Sequence, residues 1–286
     1  MNRFIVSAAV CATCLASAAW AAPVNFTTFE SAGANPAAIT AARDAFRIAV
    51  GGGNVAGADG SFGGLRREIN WDGVPDLRSD PNPLPANFFN VNSPRGAVFA
   101  TPGTGFLVSA NAGQGVPPLF GFANEFQTFS AQRLFTALNS NVTDVSFFVP
   151  GTAVAATTTA FGLIFVDVEV ADLTKVEFFD DTNALIYSHS ALVAGNQGLS
   201  FLGAMVDGSG GISRVRITSG LNFIIANGVV ANQIDDLVVM DDFLYAEPSA
   251  VAIPEPSSMA LLGLGLACGV AWLRRRSDGR LAAAAA

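Results

Sequence analysis

The sequence predicts a mainly β protein: an antiparallel, jelly-roll-like β-sandwich with one N-terminal helix and a C-terminal transmembrane helix. Three observations carry this. From Glu125 onward, short runs of Val, Ile and Phe recur between tight turns, as β-branched and aromatic residues do in strands. Between the chain ends, one stretch alone holds a sustained helical apolar period, the mark of a helix that buries one face. Near the C-terminus an apolar run closes on a cluster of arginines, as a membrane helix does at its cytoplasmic end.

Taken in order, residues 1–22 have the three parts of a secretory signal peptide. Arg3 starts it, residues 4–15 form an apolar centre, and Ala19-Trp20-Ala21 is an A-x-A cleavage site. Cleavage is expected after Ala21 or Ala22. A retained anchor is disfavoured because the apolar centre falls short of the ~20 residues a span needs. Residues 23–36 read as an extended lead-in. Asn35-Pro36 then offers a cap and a first-turn proline for a helix over 37–50. Ile39, Ala42, Phe46 and Val50 form its apolar stripe, and Gly51-Gly52-Gly53 ends it.

Residues 51–118 are dense in Gly, Pro, Asn and Asp and read as loops with short strands at 97–100 and 105–109. Beyond them the expected strands are 126–129, 134–138, 142–149, 160–170, 175–180, 185–188, 199–206, 212–219 and 237–246. The alternation Val166-Asp167-Val168-Glu169-Val170 is the period of a half-buried strand. Asp180-Asp181-Thr182-Asn183 and Asp207-Gly208-Ser209-Gly210-Gly211 sit at hairpin spacing. Residues 23–252 thus form a β-rich ectodomain, with its sandwich strands over 125–247.

Composition narrows the chemistry. The chain of 286 residues is 51% hydrophobic and 13% charged, with a net charge of −8. Five of its fifteen basic residues, Arg3, Arg274, Arg275, Arg276 and Arg280, lie in the terminal segments, which leaves the ectodomain acidic. Such a surface repels phosphate backbones, so nucleic acid is disfavoured as a partner. Cys11, Cys14 and Cys268 also lie in the terminal segments, so disulfides, thiolate metal sites and a cysteine nucleophile are excluded from residues 23–252.

The C-terminal segment reads Ile253-Pro254-Glu255-Pro256-Ser257-Ser258, then an apolar run over 259–273, then Arg274-Arg275-Arg276. A stiff Pro-x-Pro piece precedes a short transmembrane helix, and the arginines stop it on the cytoplasmic side. This tripartite tail over residues 253–280 resembles the PEP-CTERM sorting signal of exopolysaccharide-producing Gram-negative bacteria. The resemblance implies recognition by exosortase, a membrane protease-transpeptidase, with cleavage near Pro254, Glu255 and Pro256. It implies signal peptidase and the Sec export machinery as earlier partners, transient membrane tethering, and then a place at the cell surface or in the extracellular matrix. Residues 161–248 resemble the β-sandwich found ahead of such tails. The segment Gly63-Gly64-Leu65-Arg66-Arg67-Glu68-Ile69-Asn70-Trp71-Asp72-Gly73-Val74-Pro75 is similar to stretches in uncharacterised secreted bacterial proteins and carries no activity with it. Residues 281–286 have no assigned role.

Catalytic chemistry finds little support. His189, the one histidine, is expected at an exposed turn, and no G-x-S-x-G elbow accompanies it. Glu125, Glu169 and Glu177 are available as acid-base groups, but nothing in the sequence sets two carboxylates across a cleft. No catalytic residue is assigned. The strongest constellation is Asp235-Asp236-Leu237-Val238-Val239-Met240-Asp241-Asp242. Asp241 and Asp242, with Asp167 and Glu169 on a neighbouring strand, are candidate calcium ligands because hard carboxylate oxygens suit that ion. The rival reading is a solvated acidic edge that blunts strand pairing. Trp71 is the one aromatic proposed for sugar contact, since tryptophan stacks on flat sugar faces. The expected function is a non-catalytic surface or matrix protein. A carbohydrate-binding, lectin-like module stands second and a glycan-active enzyme last.

Overall fold

The computed structural model describes residues 24–208, 210–225, 229–230, 236–251 and 263–270. The expected signal peptide over 1–22, Asp235, the motif residues Pro254, Glu255 and Pro256, the Arg274, Arg275 and Arg276 stop and residues 281–286 lie outside them. In chain order the elements are β1 (Asn25–Gly33), α1 (Pro36–Val50), β2 (Ser61–Phe62), β3 (Arg66–Ile69), α2 (Phe88–Val91), β4 (Ala97–Ala100), β5 (Gly105–Val108), β6 (Phe135–Leu138) and β7 (Val142–Phe147). There follow β8 (Ala156–Thr157), β9 (Ala160–Val166), β10 (Lys175–Phe179), β11 (Leu185–Ser190), β12 (Leu199–Asp207) and β13 (Arg214–Thr218). Last come β14 (Ile224–Ile225), β15 (Val229–Val230), β16 (Val239–Ala246) and β17 (Ser249–Ala250).

The protein is mainly β, and among the described residues its named strands pair antiparallel except for the parallel bridge between β14 and β6. One sheet runs β1-β12-β9-β16-β6-β14-β15, with β3 also on β16, β2 on β3 and β5 on β6. The second runs β11-β10-β13-β7-β4. Between them lies an apolar layer built from Phe161, Leu163, Phe165, Phe243 and Tyr245 of the large sheet and Val145, Phe147, Val176, Phe178, Val215 and Ile217 of the small one.

A second apolar layer covers the other face of the large sheet. There Ile39 and Phe46 of α1, with Phe120 and Phe126 from the connecting loops, pack on Ile164, Val166, Leu199, Phe201, Val239 and Leu244. This third layer explains the composition. β9 and β16 are buried at every position, so they need apolar residues on both faces. The strands β7, β10 and β13 alternate buried and half-buried positions, with one wet face. On that face Asp144 pairs with Arg214 and Arg216 at 2.8 Å.

The stripe predicted for α1 is the one it buries. Phe46 enters a socket that two glycines leave open. Gly162 and Gly203 face each other in register, and a Cβ on Gly203 would stand 2.9 Å from the Phe46 ring.

Several boundaries differ from the sequence expectation. Residues 25–33, expected as a lead-in, form β1 and pair along their whole length with β12. The segment 126–129 is not a strand; Phe126 instead plugs the layer beneath the large sheet. The strand expected over 160–170 stops at Val166, because Asp167 adopts a left-handed φ of 75° that ends the extended run. Among the described residues no helix is long and apolar enough to cross a membrane. Residues 263–270, within the expected span, are helical.

Candidate functional site

The carboxylates predicted to share a cation fall in two places. Asp167 follows β9, with its side chain 1% exposed and Oδ1 accepting the Gln197 N–H at 2.7 Å. Burial pushes its pKa up to about 7, and the negative charges of Glu169, Glu125 and Asp236 act in the same direction. Asp236 Oδ1 is committed to the backbone N–H groups of Glu169 and Val170. Asp241 and Asp242 instead occupy a β-bulge in β16, where the register against β9 shifts between Met240 and Phe243. Among the described residues no group of three or more His, Cys, Asp or Glu side chains is placed to hold a metal ion. The quartet Asp167, Glu169, Asp241 and Asp242 is therefore corrected as a single ligand set. Period-two reasoning treated 166–170 as one strand, and the turn at Asp167 breaks that register.

The bulge has a structural cause. On its outer side β16 pairs first with β6, at Met240 opposite Phe135, and then with β3 from Phe243 onward. Asp241 and Asp242 sit where the partner strand changes, and loop groups take up the open ladder positions. Asp241 Oδ2 accepts the Phe129 N–H at 2.6 Å. The Ser130 hydroxyl contacts Asp241 Oδ1 at 3.2 Å and Asp242 Oδ1 at 2.9 Å. Burial raises both carboxyl pKa values, and at Asp241 the neighbouring Asp242 charge acts in the same direction.

Trp71 is corrected as a sugar platform. It is 1% exposed and stacks on Phe135 at 4.1 Å, with Phe89 and Phe243 edge-on. Its Nε1–H donates to the Asp241 carbonyl at 2.9 Å. It is the hub of an aromatic core at the same strand junction, and its polar neighbours Asn70 and Asp72 gave the misleading impression of a wet loop. His189 lies half-exposed on β11, where Nε2 meets Glu30 Oε2 of β1 at 2.8 Å. Beside it the Tyr187 and Thr28 hydroxyls lie 2.9 Å apart. These contacts join the edges of the two sheets.

A concave polar surface lies above the bulge, between α1 and residues 54–62. Two adjoining hollows of about 520 and 500 Å³ share Arg43, Arg47, Ala56 and Phe62. Asp242 and Ser130 line the deeper part with Glu68, Asn70, Asp59 and Arg95. Glu68 is held between two guanidiniums. Arg47 Nε donates to it at 2.8 Å and Arg66 Nε at 2.7 Å. Arg66, itself 1% exposed, also donates to the carbonyls of Arg47, Gly51 and Gly53, which satisfies the C-terminal end of α1. Arg95 Nε reaches the Glu68 carbonyl at 2.9 Å, across Gly60. A Cβ on Gly60 would stand 2.5 Å from that nitrogen.

Arg43 is the least committed of these cations. Its guanidinium lies 4.7 Å above the Phe129 ring, and its Nε is 2.8 Å from Asp44 Oδ1. The angle there makes no hydrogen bond, so the buried Nε–H has no acceptor among the described residues. Burial and the neighbouring Arg47 charge lower its pKa from the ordinary arginine value. Sequence reasoning missed this groove. The available signal was charge concentrated at 43–47 and 66–68 in a chain otherwise poor in it.

Comparison with known proteins is informative for the tail. A model described as the PEP-CTERM protein-sorting motif matches residues 252–276, and the ectodomain lies outside that match. No curated protein matches the chain. Among solved structures, a Podospora anserina GH26-CBM35 β-(1,4)-mannanase is similar at 14% identity and a TM-score of 0.25. That match covers 56% of this chain and 29% of the other, and a likeness so slight carries no argument. The chain thus carries a PEP-CTERM protein-sorting motif over residues 252–276, and that motif supports an exported protein sorted by exosortase at the cell envelope.

Proposed function

We propose that the ectodomain is a non-catalytic surface or matrix protein, tethered briefly through the apolar helix of its tail and then cut free among exopolysaccharide. The observation that carries this is the order of the C-terminal parts. β17 at Ser249–Ala250 pairs with β8, and its register closes the folded body. The matched motif begins at residue 252. No described strand of the body depends on residues beyond 251, so removal of the tail costs the ectodomain none of its ladder.

The test is mass spectrometry of the protein recovered from producing cells, with and without their exosortase. The expected result is a secreted form lacking Arg274, Arg275 and Arg276, and retention of the intact chain in cell membranes when exosortase is absent. A mature extracellular form that keeps those arginines would overturn the proposal.

A second reading, a lectin-like module, is favoured by the polar groove beside α1. Calcium stabilisation and a glycan-active enzyme gain no support of this kind.

A further inference from the structure

We infer that the groove between α1 and residues 54–62 is a binding site for a neutral, hydroxyl-rich glycan segment. The inference rests on the lectin-like reading and adds to it a location and a charge class.

The charge balance of the lining selects the ligand. Across the two hollows four arginines, at 43, 47, 66 and 95, face four carboxylates, at 44, 59, 68 and 242. This neutrality is local, because the chain as a whole carries −8. An anionic ligand would meet Asp242 and Glu68, and a cationic one would meet Arg43 and Arg47. A polyol suits both kinds of group, since each hydroxyl donates to a carboxylate and accepts from a guanidinium.

The individual groups fit that role. Arg43 Nε–H lies near Asp44 Oδ1 but has no hydrogen-bond acceptor among the described residues, and a buried donor without a hydrogen bond is costly. A ligand hydroxyl would satisfy it. The exposed Asn70 side chain and the Ser130 hydroxyl supply uncharged partners on the same wall. Phe62 and Phe129, both half-buried and each carrying a guanidinium over one ring face (Arg66 at 4.5 Å and Arg43 at 4.7 Å), add apolar surface to the lining for the C–H side of a sugar ring. The lining is also rigid. Glu68 is clamped by two arginines and Arg95 is anchored on a backbone carbonyl, so little ordering entropy is lost on binding. A hollow of about 520 Å³ lies within the range of small-ligand sites, and its extension past Phe62 suits a chain longer than one sugar.

The experiment is isothermal titration of the protein purified from producing cells against neutral gluco-, manno- and galacto-configured oligosaccharides, with a uronate oligomer beside them. Binding of at least one neutral series and none of the uronate is expected. Arg43→Met, which keeps the apolar stem over Phe129, and Asn70→Ala, at an exposed side chain, are each expected to weaken it about tenfold. Arg78→Ala, outside the groove, is the control and should leave affinity unchanged. Tighter binding of the uronate overturns the charge class while leaving the lectin-like reading intact. Neutral binding unaffected by both groove variants overturns the location. Failure of every oligosaccharide retires the lectin-like reading itself.

Discussion

Replacing Asp167 with Asn should make the protein more stable at pH 8 and leave it nearly unchanged at pH 4. Asp167 is almost fully buried, and burial holds its carboxyl up to about 7, against ~3.9 in an unfolded chain. A carboxyl raised in this way favours the folded state while it is protonated in both states. That contribution is complete below about pH 4 and is lost as the pH climbs through about 7. A rise of roughly three units sets a ceiling of about 4 kcal/mol, at ~1.36 kcal/mol per unit. Asparagine stays neutral throughout, its carbonyl oxygen can accept the Gln197 N–H, and it tolerates the left-handed backbone at φ 75°. At pH 8 the variant should therefore gain about 2–4 kcal/mol, or roughly 5–15 °C in Tm for a body of this size. Thermal denaturation followed by circular dichroism from pH 4 to 8.5, run on both proteins, is the assay. If the two curves of Tm against pH run parallel, the Asp167 carboxyl is not raised by burial as described.

Trp71→Phe keeps the stack on Phe135 but orphans the Asp241 carbonyl, and should cost about 1–2 kcal/mol by chemical denaturation. Trp71→Ala empties the aromatic junction and should cost about 3–5 kcal/mol. Arg66→Met removes the donors that close the end of α1 and leaves carbonyls without partners; a loss of about 3–5 kcal/mol in urea unfolding is expected. Gly203→Ala drives a methyl group into Phe46 and should destabilise by about 1–3 kcal/mol, with partial recovery when Phe46→Leu is added, measured as a double-mutant cycle. Because the calcium-candidate carboxylates are divided between two places, a chelator should leave the melting midpoint where it was; a drop would show a cation holding part of the fold.

How much was legible depended on whether a signal was local. The Asn35-Pro36 entry, the Ile39 and Phe46 stripe and the triple-glycine exit gave α1 to within one residue, because caps and periodicity are short-range facts. Strands β7, β10 and β13 show alternation since one of their faces is wet. β9 shows a continuous apolar run, which the second covering layer explains but no single strand reveals. Trp71 was misread for a related reason. Its neighbours in sequence are polar, whereas its neighbours in space come from β6, β16 and α2. The acidic pair at 241–242 announced itself in the sequence, but its cause, a change of partner strand beside β16, is a property of the assembled sheet. The groove arginines were visible only as two short charged runs and the separate Arg95, since three segments far apart in sequence supply them.

The pairing of β1 with β12 binds the opening of the ectodomain to a segment about 180 residues downstream, and α1 rests on that same strand. The N-terminal strand therefore has nothing to complete it until most of the polypeptide has been synthesised. Contacts of such long sequence separation slow folding, and a chain wired in this way stays open while it is being made. Openness of that kind suits a polypeptide that has to be threaded through a narrow channel before it takes shape on the far side.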